Sequence, residues 1–162
     1  MADEHLNPGD VSSLVHAIET RIKFLIKDSE ILLDNEGQLQ IVAGLYIHAI
    51  EEFGKLVYVL SIPDVGGIVT INNSNEWFRN HNLKIEFAQA ILPPKCFVLQ
   101  QGSYGSADYG RADYDVHEVA SWQTRLTIFN TDLDDGKVPK LPSVSKSDIE
   151  EAIKKFKLFL DL

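Results

Sequence analysis

The chain has 162 residues, 44% hydrophobic and 24% charged, which fits one ordinary globular domain and argues against global disorder. Its net charge of −9 opposes non-specific nucleic-acid binding, which needs Lys and Arg to neutralise phosphates, but leaves room for a local basic patch. A single cysteine, Cys96, excludes an intramolecular disulfide and a cysteine-based zinc site.

The N-terminus, Met1 to His5, is acidic and has no apolar signal region, and no apolar run approaches the roughly 18 residues of a membrane span. These features predict one domain over residues 1–162, in the cytoplasm and away from membranes. Asn7-Pro8-Gly9-Asp10 is a helix-start signal, and Leu14, Ile18, Ile22 and Leu25 follow at helical spacing. A first helix is expected from Val11 to about Asp34, closed by an Asp34–Gly37 turn. A second is expected from about Gln38 to Ser61, burying Val42, Ala49, Phe53, Leu56 and Leu60, and ended by Pro63-Asp64 and Gly66-Gly67.

The β-branched run Ile68 to Ile71 reads equally as a strand or a loop. Asn72-Asn73-Ser74-Asn75 offers caps for a third helix from about Glu76 to Ile91, stopped by Pro93-Pro94. Residues 95–115, rich in Gly, Tyr and Asp, read as a long irregular loop. A helix from about Asp115 to Arg125 and an extended piece at Leu126–Phe129 follow. Ser145 to Asp148 then cap a last helix with Ile149, Ile153, Phe156 and Leu160 as its apolar stripe. Five of the eleven lysines lie between Lys140 and Lys157, where a solvated helix face explains them. The pattern predicts an all-α bundle of four to five helices with one long irregular loop.

Some polar residues sit where apolar ones belong. At about 100° per residue, His81 falls within the apolar face of the third helix and Lys84 on its edge, beside Trp77, Phe78, Ile85, Ala88 and Leu92. Such groups need partners, because an unpaired buried charge is costly. On the second helix Glu52 lies at the boundary of the apolar face, with Glu51 and Lys55 further toward solvent. Two antiparallel helices would bring Glu52 near His81 and Lys84. The result is either a structural ion-pair network or a functional site. His48 and Glu52 share a stripe, yet no HExxH or similar motif completes a metal site, and no cofactor motif is present. Cys96, in the run Cys96-Phe97-Val98-Leu99, reads as a buried thiol.

The stretch Ala49-Ile50-Glu51-Glu52-Phe53-Gly54-Lys55 resembles the A-x-E-E-x-G-K signature of AbiV-like abortive-infection proteins, a family of the HEPN superfamily. A leucine-rich helix end precedes it at Ser29–Leu33, and an H-x-x-K follows an aromatic at Trp77–Lys84. Arg125–Phe129 and Val138–Pro142 are similar to the family's extended piece and proline-containing lead into a final helix. The likeness spans most of residues 25 to 160. It implies a HEPN-like helical bundle and a role in phage defence. That role is either a binding or sensing module for a phage or host protein, or a metal-independent ribonuclease acting on RNA as a homodimer. HEPN nucleases commonly use R-x4-6-H, in which Arg stabilises phosphate charge and His moves protons. Arg111 and His117 form one such match, with Ala112 where that pattern has a polar residue.

Overall fold

The computed structural model describes residues 3–71, 80–97 and 145–162. Helix α1, Pro8–Asp34, starts where Pro8 presets the first turn and Asn7 caps it, the Asn7 side chain accepting from the Asp10 amide at 3.0 Å. The helix closes when the Gly37 amide donates to the Leu32 carbonyl at 2.7 Å. The short turn from Asn35 to Gln38 sends helix α2, Leu39–Ser61, back antiparallel along α1. Ile18, Ile22, Ile26 and Leu33 of α1 are buried. Leu14 and Leu25 are only partly so.

Helix α2 is the centre of the bundle, burying residues around most of its circumference, Val42, Tyr46, Ile47, Ile50 and Phe53 among them. In its final turn Val59 points inward and Leu60 is exposed, the reverse of the sequence expectation for Leu60. The chain then forms strand β2, Val69–Ile71, which pairs antiparallel with strand β1, Glu4–Leu6. The Ile68–Ile71 run thus becomes a strand at Val69, because the segment ahead of α1 supplies its partner. The bundle remains all-α apart from this small ribbon.

Helix α3 covers His81–Ile91. It begins later than Glu76 because Asn80 has extended backbone and caps it, its side chain accepting from the Leu83 amide at 3.2 Å. A 3-10 turn at Pro94–Cys96 follows. Helix α4, Lys146–Leu160, is capped by Ser145, whose hydroxyl accepts from the Asp148 amide at 3.1 Å. Ile149, Ala152, Ile153 and Phe156 are its buried stripe, with Leu160 partly buried. Phe156 meets Tyr46 and Phe53 edge-on at 6.0 and 5.6 Å between ring centres. The Tyr46 hydroxyl donates to the carbonyls of Cys96 and Ala152, tying the 3-10 turn and α4 to α2. Cys96 is buried.

The pairing of α2 with α3 differs from the antiparallel expectation. Glu51 meets His81, Gly54 abuts Lys84, and the rings of Tyr58 and Phe87 stack edge-on at 5.4 Å. A nearly constant offset of about thirty residues means that the helices run parallel. The connection from residue 62 to 80 passes through β2 and returns the chain to the start of α2's polar stretch. Trp77, Phe78, the 98–144 segment with Arg111 and His117, the expected Asp115–Arg125 helix and the Leu126–Phe129 piece lie outside the described residues.

Candidate functional site

The site is organised by one face of α2. His48, Glu51, Glu52 and Lys55 recur at spacings of three, four and seven, so they form one stripe along the helix. Helix α1 flanks the Glu52 side and helix α3 the Glu51 side. The stripe is therefore a polar seam flanked by Arg21 of α1 and His81 of α3.

Three charged side chains here are buried, with Glu51, Glu52 and Lys84 each no more than 3% exposed. Ionisable groups are seldom buried so completely without partners. Glu51 Oε2 lies 3.0 Å from His81 Nδ1 and 3.3 Å from His48 Nδ1, so one carboxylate oxygen serves two imidazoles. Glu52 Oε1 accepts from Lys55 Nζ at 2.5 Å and lies 3.7 Å from both Arg21 Nε and His48 Nε2. Arg21 Nη2 is 3.3 Å from His48 Nε2. His48, Lys55 and His81 are about a fifth exposed, and Arg21 stands at the rim, 61% exposed.

The expected pairing of Glu52 with His81 or Lys84 is thus corrected. Glu51, which the helical wheel places toward solvent, is fully buried and takes His81. Glu52 turns to α1 and to its own helix. The cause is the parallel register of α3, which packs on the Glu51 side. Lys55, expected toward solvent, folds back onto Glu52. Lys84 is buried as a residue on an apolar edge must be. His16 is exposed, as an ordinary surface histidine is.

Gly54 sets how closely α3 approaches α2. A Cβ added there would overlap the Lys84 carbonyl oxygen and lie 2.6 Å from its carbonyl carbon. Only glycine permits this approach, and the approach places His81, one turn before Lys84, over Glu51, one turn before Gly54. The E-E-x-G-K and H-x-x-K segments therefore meet in space, glycine against lysine backbone and glutamate against histidine. Sequence reasoning missed Arg21 and the role of Gly54. The signal for Arg21 was its place beside Ile18 and Ile22, at the edge of the α1 stripe.

The arrangement has two chemical capacities. A buried carboxylate accepting from imidazole Nδ1 fixes the tautomer and makes the other nitrogen the basic one, which suits proton transfer. The cationic rim suits an anionic group. Among the described residues no group of three or more His, Cys, Asp or Glu side chains is arranged to hold a metal ion, His48 with Glu52 included. No described helix is long and apolar enough to cross a membrane. A separate open groove of about 490 Å³ lies between the end of α1 and α4, where Lys157 reaches Glu30 at 2.7 Å. Its lining includes none of the candidate site residues read from the sequence. No family model, curated protein or solved structure matches the chain.

Proposed function

We propose that the protein is an AbiV-like, HEPN-type helical module of bacterial phage defence that binds or senses a phage or host component through the polar cluster flanked by α1 and α3. One observation carries this reading. The two sequence segments that resemble the family's signatures, thirty residues apart, meet at Glu51–His81 and Gly54–Lys84. A resemblance spread over unrelated surfaces would have no such meeting point. Action in the cytoplasm and as a homodimer goes with this reading. The test is phage plating on bacteria expressing the chain, with Glu51→Gln and His81→Ala beside the wild type and their folding checked by circular dichroism. Protection lost in both folded variants supports the proposal. Protection unchanged in both removes the cluster from it, and no protection by wild type against a broad phage panel removes the defence role.

A second reading, metal-independent RNA cleavage, draws on the partly exposed His81 held by buried Glu51, an arrangement suited to acid–base catalysis. Arg111 and His117 are the rival pair from the sequence. Cleavage of RNA in excess EDTA, with His81→Ala, Arg111→Ala and His117→Ala in parallel, separates the two sites. Loss of a general acid–base group should cost about 10²–10⁴-fold.

A further inference from the structure

We propose that two copies of the chain associate through the groove between the end of α1 and α4, about a two-fold axis that sets Asp34 of each copy against Lys154 of the other. The groove is separate from the polar cluster. Leu33 and Ile153 are its buried floor, while Leu158 and Leu162 line it at 68% and 45% exposure. Lys157 reaches Glu30 at 2.7 Å and ties the α4 wall to the α1 wall. Small-molecule sites enclose most of their ligand, whereas this groove of about 490 Å³ lies open along two helices. It therefore suits an apolar ridge on another folded chain.

Charge selects the occupant. Asp34 stands on the α1 wall and Lys154 on the α4 wall, and both are exposed. The other charges of the lining are engaged, Glu30 with Lys157 and Glu150 with Lys146 at 3.8 Å. Among the described residues neither Asp34 nor Lys154 has a hydrogen-bond or ion-pair partner. An acidic partner would be opposed by Asp34 and a basic one by Lys154. The fitting occupant carries one group of each sign beside an apolar ridge. The chain itself has that arrangement, with Leu158 one turn after Lys154. A two-fold contact is self-complementary, because each residue of a pair meets its counterpart on the other copy. One axis thus makes the Asp34–Lys154 pair twice and lays Leu158 of each copy against the other's groove. Burial of the exposed leucines supplies the affinity, and the two ion pairs fix the orientation. The net charge of −9 opposes association at long range, but at about 0.15 M salt charges more than about 8 Å apart are largely screened.

The homodimer that goes with the proposed function gains a surface here. A dimer through this groove in a chain that gives no phage protection keeps the groove and loses the defence reading. Protection by a monomeric chain does the reverse. The test is sedimentation equilibrium of the full chain from micromolar to near-millimolar concentration, at about 0.15 M salt. Wild type is expected to pass from monomer to dimer over that range. Leu158→Asp, Asp34→Lys and Lys154→Glu all fall at exposed positions, and their urea midpoints check folding. Each should weaken the dimer about tenfold or more, since every substitution enters the interface twice. An equal mixture of the Asp34→Lys and Lys154→Glu proteins should recover the wild-type dimer, because both pairs then join opposite charges across the two chains. No effect within one chain can imitate that recovery. Wild type that stays monomeric throughout overturns the proposal. So does a dimer that Leu158→Asp leaves intact, or a mixture that associates no better than its components.

Discussion

Gly54→Ala is the sharpest test of how this bundle holds its polar cluster. In an unobstructed helix interior the change stabilises by about 0.5–1 kcal/mol, since alanine loses less conformational entropy on folding. Here the new methyl group would lie 2.6 Å from the Lys84 carbonyl carbon and 3.0 Å from its Cα. Carbon atoms pack comfortably at about 3.5 Å and the carbonyl oxygen stands closer still, so α3 must retreat by more than about 1 Å. The obstacle is backbone, and no rotamer change removes it. Overpacking of this kind costs about 1–3 kcal/mol, which leaves a net loss of about 1–2 kcal/mol once the propensity gain is subtracted. For a domain of this size the melting temperature should fall by about 3–8 °C. Urea titration should show a lower midpoint with an unchanged slope. In a Lys84→Ala background the cost of Gly54→Ala should be the same, because the clash is with main-chain atoms. A Gly54→Ala protein as stable as wild type, or more stable, would refute the close parallel packing of α2 on α3.

Glu52→Ala is expected to cost about 1–2 kcal/mol, below the 3–5 kcal/mol typical when a buried charge is stranded, because Arg21, His48 and Lys55 can all reach water. Urea denaturation of the single variant measures it, and a loss above about 3 kcal/mol would contradict the exposed rim. Burial, and secondarily the charge of Cys96, raise the Tyr46 phenol well above its ordinary 10.0. Burial also raises the Cys96 thiol above 9.0, with Lys155 opposing. Both groups hold their protons more tightly when folded, so their contribution is full below those ordinary values and is lost as pH rises above them. Stability measured by urea between about pH 8 and 11 should therefore fall, and Tyr46→Phe should flatten the fall above about pH 10. The same variant should lose about 1–2 kcal/mol at neutral pH by leaving the Cys96 and Ala152 carbonyls without its hydroxyl. Phe156→Ala, which empties the contact with Tyr46 and Phe53, should cost about 3–5 kcal/mol by chemical denaturation. A loss under about 1 kcal/mol would show that α4 does not seal the core.

The parts legible in the sequence are those governed by local rules. Asn7-Pro8, Ser145 and the Asp34–Gly37 turn mark helix ends because capping and turn chemistry act within four residues. The Ile18–Ile22 and Ile149–Ile153–Phe156 stripes read correctly because burial follows helical period. What failed depends on direction and register between distant segments. Nothing local tells that β1 will pair with β2, and that pairing accompanies the return which makes α3 parallel to α2. Glu51 and Glu52 differ by about 100° on the wheel. Which of them meets His81 follows from the side on which α3 packs, and Gly54 admits α3 on the Glu51 side. The wheel thus found the right cluster and assigned the wrong glutamate.

The cluster is also costly in a way the rest of the bundle is not. Apolar contacts from α1 and α4 surround α2 along most of its length. A leucine at 51 or 52 and a methionine at 84 would extend that core, and such replacements of buried ion pairs are often neutral or stabilising by about 1–4 kcal/mol. Buried charge is therefore a poor device for stability here. It does hold two partly exposed imidazoles on one buried carboxylate oxygen, beside a close helix approach that a glycine permits. The glycine at 54, the two glutamates before it and the histidine one turn before Lys84 make sense as a single arrangement. Each lowers or complicates the packing of the bundle, and together they hold His48 and His81 partly exposed beside the exposed Arg21.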